Sequence, residues 1–231
     1  MIDSPAGRRP LKTRDWRFFQ RLAAWLATTP ITPNIISATS IFFGLAAGTL
    51  LAFTPHVGDD IIVKVIWLTA AACLQARLIA NLLDGMVAIE GGKASAIGEL
   101  FNEVPDRVSD SAIFIGAGYA IGSVPEFGLL AALVAIFVAY VRAIGASVGV
   151  GQVFLGPMAK QQRMAVLTLA LVLCGLLPAS WQPVHSPSGI GIIGVVLIAV
   201  AAGGVVTAIR RLMRIANLMR ARATDGAATD V

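Results

Sequence analysis

Polar and acidic side chains recur at helical spacing between residues 81 and 110, within and beside strongly apolar segments of the chain. They form two sets, and the members of each set lie three or four residues apart, so that each set shares one helix face. The first set is Asn81, Asp84 and Ala88, and the second is Asn102, Asp106 and Asp110. Ionisable groups at membrane depth are costly and usually functional. Two helices that meet through these faces would enclose oxygen ligands suited to a hard divalent cation.

The composition excludes a water-soluble globular protein. Of the 231 residues, 57% are hydrophobic and only 13% are charged, whereas about 25% of the residues of a soluble domain are charged. The two cysteines, Cys73 and Cys174, both lie in apolar runs, so a disulfide framework is not indicated. Basic residues concentrate before the first apolar segment and after the last. Because no soluble basic domain lies between them, nucleic acid is not a predicted partner.

Six apolar segments are long enough to cross about 30 Å of hydrocarbon as helices. They cover residues 35–54, 62–89, 107–123, 127–148, 163–180 and 189–209. The sequence therefore predicts an all-α polytopic membrane protein with about six transmembrane helices. An even number of spans puts both basic termini on one side, which the positive-inside rule identifies as the cytoplasm. The polar site then faces the cytoplasm, and the expected location is a bacterial inner membrane.

Composition divides the chain into three parts. They are a basic N-terminal segment (residues 1–30), a six-helix membrane domain (31–210) and a basic cytoplasmic tail (211–231) that frays from Arg222 onward. Within the first part, residues 14–27 predict an amphipathic interfacial helix. Trp16 and Phe19 lie on an apolar stripe of this helix that is flanked by arginines, which is typical of segments lying in the membrane interface.

The spacing of the polar residues resembles the signature D-x2-D-G-x2-A-R-x8-G-x3-D-x3-D of the CDP-alcohol phosphotransferase family. All spacings hold, and five of the eight fixed residue types match. The eight positions fall on Asn81, Asp84, Gly85, Ala88, Ile89, Gly98, Asn102 and Asp106. Asn81 and Asn102 exchange a carboxylate for the isosteric amide, and Ile89 stands where the family has arginine. The likeness extends over residues 30–210 and indicates a variant branch of the family.

This resemblance implies an integral-membrane enzyme of phospholipid biosynthesis. Such enzymes move a phosphatidyl group from CDP-diacylglycerol, or a related CDP-alcohol, to an alcohol acceptor and release CMP. The resemblance also implies Mg²⁺ or Mn²⁺ held by the four acidic positions, here Asn81, Asp84, Asn102 and Asp106. Asp84 and Asp106 would be the catalytic residues, and Asp106 occupies the position that helps to deprotonate the acceptor hydroxyl.

Further residues would contact the substrates. Those carried over from the family pattern or placed beside it are Asn34, Gly85, Ala88, Gly98, Arg77, Arg142, Lys160 and Arg163. Gly85 would let the nucleotide approach the helix backbone closely, because it has no Cβ. Arg77, one turn before Asn81, would replace the cation that is missing at Ile89. The last three cations of the set would suit a phosphorylated acceptor, or would serve only as orientation charges.

The two amides lower the formal charge of the four motif positions from −4 to −2. An amide oxygen still binds a hard cation, but with a dipole in place of a full charge, so divalent-cation affinity should fall. Whether such a site holds one ion or two is left open. Glu99, Glu103 and Asp110 are candidate compensating acids, and Asp110 is equally expected as a salt-bridge partner.

Structural roles compete with these functional ones. Asn81 and Asn102 would also serve as interhelical hydrogen-bonding groups. The competing ion pairs are Asp84 with Arg77 or Arg107, and Asp106 with Lys93 or Arg107. For the whole protein, the alternatives are a catalytically weakened relative that binds lipid or nucleotide, and a small ion-coupled transporter. The acceptor alcohol is open. Family likeness favours a homodimer, with small-residue stretches at 44–48 and 201–204 allowing close helix contacts.

Overall fold

Nearly all of the described chain is helical, which confirms the predicted all-α class. A computed structural model describes residues 16–93, 97–185 and 187–229. The helices are α1 (Arg17–Ala27), α2 (Pro33–Phe53), α3 (Asp60–Glu90), α4 (Gly98–Gly118), α5 (Pro125–Ser147), α6 (Lys160–Leu176) and α7 (Ile192–Thr229). The basic residues predicted to open the chain, and the first residues of the predicted interfacial helix, lie outside the described residues.

Four helices, α2, α3, α5 and α7, are long and apolar enough to cross a membrane, which makes this chain a membrane protein. The six predicted spans overlap α2 to α7. Helices α4 and α6 are not among these four, because α4 carries the motif acids and α6 has only 17 residues. The count of six spans therefore stays a prediction.

Two helix boundaries differ clearly from the predicted ones. Helix α4 begins at Gly98, before the predicted span start at residue 107, and so includes the helical face predicted for Asn102, Asp106 and Asp110. Helix α7 continues to Thr229, past the predicted span end at 209 and through the tail expected to fray. Ala, Leu, Met and Arg dominate this extension, and all four favour helix. Arg222 also donates to the carbonyl oxygen of Gly149 at 2.9 Å.

Local signals start the two helices that lead into the polar region. Pro33 occupies the first turn of α2, where its missing N–H has no helical partner to lose, and the Thr32 hydroxyl accepts from the backbone N–H of Ile35. Asp59 caps α3 by accepting from the N–H groups of Ile61 and Ile62 at 2.8 and 3.0 Å. Such caps satisfy helix N–H groups that have no partner within the helix.

Helix α2 packs against both α3 and α4, and its contact with α4 depends on glycine. A Cβ added at Gly48 would overlap the carbonyl oxygen of Ala112, and one added at Gly116 would overlap the backbone of Gly48. The two backbones therefore approach as closely as small residues permit. Residues 44–48 were predicted to form a dimer contact, but they pack against α4 of the same chain.

The second predicted dimer stretch is also occupied by the chain itself. A Cβ at Gly203 would meet the side chain of Met158, and one at Gly204 would overlap that of Val134. These glycines pack α7 against the loop before α6 and against α5. A homodimer therefore receives no support from either small-residue stretch.

Helix α1 lies against α3. Ala23 is fully buried in a cluster that includes Leu83 and Val87 of α3, whereas Trp16 and Trp25 are exposed. The predicted N-terminal helix is thus present from Arg17, and its position in a membrane interface stays a prediction.

The substitution Gly48→Ala should lower the melting temperature, because the added methyl group forces α2 and α4 apart. Overpacking of this kind costs about 1–3 kcal/mol, which corresponds to a decrease of at least about 2 °C for a chain of this size. Differential scanning fluorimetry in detergent measures the change. Gly58→Ala is the matched control, since a Cβ there meets no atom within 4 Å. Equal melting temperatures for the two variants would contradict the close packing.

Candidate active site

The two predicted polar faces meet. Asn81 and Asp84 lie in the last third of α3, and Asn102 and Asp106 lie in the first half of α4. The side-chain amide nitrogen of Asn81 donates to Oδ1 of Asp106. Helices α3 and α4 thus bring their motif positions together beside α2.

Arg77 also connects helix α3 to helix α4. Its side chain is completely buried, and its Nη2 lies 2.9 Å from Oδ1 of Asp106 and 2.7 Å from Oδ1 of Asp110. Arg77 was expected to contact substrate phosphate in place of the arginine missing at Ile89, and the structure corrects this expectation. One turn before Asn81, the guanidinium points at the α4 acids, where burial requires that its charge be paired.

Asp110 forms a second buried ion pair. Its Oδ2 lies 2.6 Å from Nη2 of Arg163, and both side chains are almost fully buried. Of the two roles predicted for Asp110, the salt-bridge partner is the one observed. Arg163, predicted to contact substrate, is held by this pair at the start of α6.

Asp106 accepts from more than Arg77 and Asn81. Lys160, the first residue of α6, donates to its Oδ2, and Arg107 lies 3.6 Å from the same oxygen. The alternative pairing of Asp106 with Lys93 is wrong, because Lys93 donates to the backbone carbonyl of Thr29 at 2.7 Å.

Glu103 has its own cation. Its Oε1 lies 2.5 Å from Nη2 of Arg142, whose guanidinium also sits 6.0 Å from the ring centroid of Phe154. Arg107 lies 3.7 Å from the other oxygen of Glu103. Three acids of α4 thus contact five cations within the described chain, and this network has a formal surplus of positive charge.

Asp84 stands apart from the network. It is 3% exposed, and its Oδ2 accepts from the Ser37 hydroxyl at 2.5 Å. The predicted alternatives, ion pairs with Arg77 or Arg107, do not occur. Oδ1 of Asp84 is buried and accepts no hydrogen bond from the described residues, although the backbone N–H of Gly85 acts as a hydrogen-bond donor to the carboxylate. A buried oxygen without a partner typically costs about 1–3 kcal/mol, so this atom is the best candidate for a bound ligand.

A cavity of about 810 Å³ opens beside these groups. Seven of the predicted site residues line it: Asn81, Asn102, Glu103, Asp106, Arg142, Lys160 and Arg163. Trp16 and Phe19 of the N-terminal segment form an apolar wall. A space of this size accommodates a drug-sized molecule or a nucleotide.

Other predicted residues do not line the cavity. These are Asn34, Arg77, Asp84, Gly85, Ala88, Gly98 and Asp110. Gly85 nevertheless borders open space, since a Cβ there meets no atom within 4 Å. The side chain of Glu99, predicted as a compensating acid, lies outside the described part of the chain.

Two contributors to the site were not predicted. Ser37 holds Asp84 from α2, and the only signal in the sequence is a hydroxyl residue within an apolar span. Arg211 lines the cavity from α7 and donates to the carbonyl oxygens of Leu155 and Val138 at 2.9 and 3.1 Å. The sequence shows it only as part of a basic cluster at a span end, which cannot distinguish a site residue from an orientation charge.

The donor set limits how a divalent ion would be held. Within the described ranges, no group of three or more His, Cys, Asp or Glu side chains is arranged to hold a metal ion. Asp106 already accepts from cations on both oxygens, whereas Asp84 retains a buried oxygen without a partner. Asp84 is therefore the motif carboxylate that retains an oxygen for a divalent ion.

Comparison with known proteins finds a phospholipid synthase among the relatives of this chain. No family model matches the chain. The chain is 32% identical over 148 residues to archaetidylinositol phosphate synthase of Methanothermobacter thermautotrophicus, and this match covers 63% of the chain and 69% of the relative. It is 23% identical over 145 residues to the inner membrane protein YnbA of Escherichia coli, again covering 63% and 69%.

Solved structures share the fold. Phosphatidylinositol phosphate synthase (PgsA1) of Mycobacterium tuberculosis, in complex with manganese and citrate, superposes with a TM-score of 0.67 at 17% identity, covering 85% of this chain and 88% of that one. The same protein with CDP-DAG bound gives a TM-score of 0.65 at 18% identity, covering 87% and 94%.

The substitution Arg77→Met should destabilise the protein strongly, because it leaves Asp106 and Asp110 buried without their shared cation. Removal of one partner from a buried ion pair costs about 3–5 kcal/mol. Arg142→Met is the matched control, since its pair with Glu103 is partly exposed and exposed pairs contribute about 0–1 kcal/mol. Reversible unfolding in mixed detergent micelles measures both. Comparable losses in the two variants would contradict the assigned role of Arg77.

Proposed function

The chain belongs to the CDP-alcohol phosphotransferase family, and we propose that it transfers a phosphatidyl group from CDP-diacylglycerol, or a related CDP-alcohol, to an alcohol acceptor with release of CMP. The observation that carries this proposal is the meeting of the two motif faces at a single cavity, where Asn81 contacts Asp106 and Lys160 lines the wall. The spacing alone predicts two helix faces, and the structure brings them to one site beside a cluster of cations.

The charge of the cavity suits a diphosphate. Lys160 and Arg142 line it, and Arg107 is held only loosely, at 3.6 Å from Asp106 and 3.7 Å from Glu103. An anionic substrate would draw Arg107 toward itself, because charge-assisted hydrogen bonds to phosphate are strong. The apolar wall of Trp16 and Phe19 would face the lipid part of the donor.

A divalent cation, Mg²⁺ or Mn²⁺, completes the proposed site, with Asp84 as its carboxylate ligand and Asn81 and Asn102 as further candidate ligands. When bound, such an ion neutralises charge on the diphosphate and stabilises the departing CMP. Ser37 contributes by orienting Asp84, since its hydroxyl occupies Oδ2 and leaves Oδ1 for another partner.

Asp106 is the proposed proton acceptor. In the transfer, the acceptor oxygen forms a bond to the phosphatidyl phosphorus, the bond from that phosphorus to the CMP oxygen breaks, and the hydroxyl proton passes to a carboxylate. Asp106 lines the cavity and is anchored by Arg77 and Asn81. Asn102 cannot fill this role, because an amide takes up no proton near neutral pH.

A phosphorylated alcohol is the proposed class of acceptor. The acids of α4 contact more cations than they balance, so the surplus charge is available to a second anionic group beside the diphosphate. Both relatives that are named as synthases make inositol phosphate lipids. We further propose six spans, with the site and both termini in the cytoplasm of a bacterial cell.

A non-catalytic relative that binds lipid or nucleotide is the second candidate. It is favoured by one observation: both oxygens of Asp106 are engaged by donors of the protein itself. Metal-dependent release of CMP separates the two candidates, because only the transferase breaks the diphosphate.

The substitution Asp84→Ala should abolish CMP release while the protein stays folded, since it removes the proposed metal ligand. We expect a decrease of at least about 100-fold, as for loss of a group that stabilises transition-state charge. The assay uses detergent-purified protein, CDP-diacylglycerol, Mg²⁺ or Mn²⁺ and a pool of alcohols that includes phosphorylated ones, with a chelator as a blank.

The matched control is Asp60→Ala, an exposed acid at the opposite end of the same helix, which should keep full activity. Melting temperatures of both variants show whether they are folded. Full activity of a folded Asp84→Ala variant would exclude the assigned site, and absence of CMP release from the unmodified protein would favour the non-catalytic candidate.

A further inference from the structure

The acids of α4 are already neutralised by the protein. Asp106 contacts Arg77 and Lys160, and Asp110 contacts Arg77 and Arg163. A divalent ion added at Asp106 would therefore enter a network that is already positive. Like charges at such short range repel strongly, and a divalent ion repels an ammonium about twice as strongly as a monovalent ion does.

The geometry of Asp106 also leaves it little capacity to bind a metal. Oδ1 accepts from Nη2 of Arg77 and from the amide of Asn81, and Oδ2 accepts from the ammonium of Lys160. The amide orientation of Asn81 is chemically determined, because its oxygen would repel the carboxylate oxygen of Asp106 if the group were flipped. Asn81 therefore presents a donor to Asp106, where a carboxylate at the same position would present a second negative charge.

Asp84 has the opposite properties. It contacts no cation, its Oδ1 has no hydrogen-bond partner among the described residues, and it is almost fully buried. It lies within electrostatic range of both Asp106 and Lys160. The two retained motif carboxylates thus differ: the charge of Asp106 is balanced by the protein, and the charge of Asp84 is not.

We propose that this chain binds one divalent cation, on Asp84, and that the ammonium of Lys160 supplies to Asp106 the positive charge that a second ion would bring. The inference rests on the proposed function. Asn81 and Asn102 remove two negative charges from the motif positions, and Lys160 and Arg77 balance the charge that remains at Asp106. A second ion is therefore not needed to neutralise this site.

The test counts bound ions directly. Mn²⁺ alone is titrated into the whole chain in detergent, and loss of the six-line electron paramagnetic resonance signal of free Mn²⁺ reports binding. The unmodified protein should bind one ion per chain, and Asp84→Asn should bind none. Two ions in the unmodified protein, or an ion retained by folded Asp84→Asn, would overturn the proposal.

Variants of Lys160 test the role of its charge. Lys160→Met should bind a second ion with an affinity at least tenfold lower than that for the first, because Oδ2 of Asp106 loses its partner. When Asn102→Asp is added to this variant, the affinity for the second ion should rise. Lys160→Arg keeps the charge and should bind a single ion. Lys93→Met is the control, since Lys93 contacts Thr29 and not the acids, and it should also bind one ion.

A stoichiometry of one in Lys160→Met would overturn the role of Lys160. If that variant does not fold, the counts for the unmodified protein, Asp84→Asn and Lys160→Arg still decide the proposal. Failure of this inference is distinct from failure of the proposed function, because ion counting needs no turnover. If the chain releases CMP and binds two ions, the proposed function stands and the single-ion proposal is wrong.

Discussion

The buried guanidinium of Arg77 is the constraint on which the site depends. Helices α3 and α4 each pack extensively against α2, and Arg77 joins them to each other through Asp106 and Asp110. A fully buried charge is tolerated only when its partners are held in good geometry. The requirement to pair this charge therefore fixes the distance between the two motif faces, and glycine contacts between α2 and α4 allow the helices to come that close.

This constraint also determines the electrostatics of the cavity. Because Arg77, Lys160 and Arg163 are matched to the acids of α4, the negative charge that the motif retains is largely confined to Asp84. The cavity beside Asp84 is lined by cations and by apolar side chains, among them Trp16 and Phe19. The proposed function would use this surface for a lipid-linked diphosphate: the cations would face phosphate, the carboxylate of Asp84 would face a metal ion, and the aromatic side chains would face the lipid.

The sequence was sufficient for the features that depend on spacing within one helix. Hydrophobic lengths predicted the long apolar helices, and the three- and four-residue intervals predicted that Asn81 with Asp84, and Asn102 with Asp106, share a helix face. Helix boundaries were less predictable where polar residues pair inside the fold, as at the start of α4.

Partners across helices could not be derived from spacing. Arg77 was placed on the correct face of α3 and assigned the wrong partner, because nothing in the sequence states that α4 acids lie opposite it. The contact of Ser37 with Asp84 joins residues far apart in the chain, and Lys160 reaches Asp106 from a third helix. These contacts depend on the tertiary arrangement, which composition and periodicity do not encode for individual side chains.

The most direct measurement of the central claim is anomalous diffraction from crystals of this chain grown with Mn²⁺ and a CDP-alcohol donor. The anomalous signal locates manganese without reference to the side-chain assignment. The account predicts a single manganese peak at Oδ1 of Asp84, beside the donor diphosphate, with the ammonium of Lys160 still on Asp106. Two manganese peaks, or one peak ligated by Asp106 with Lys160 displaced, would contradict it.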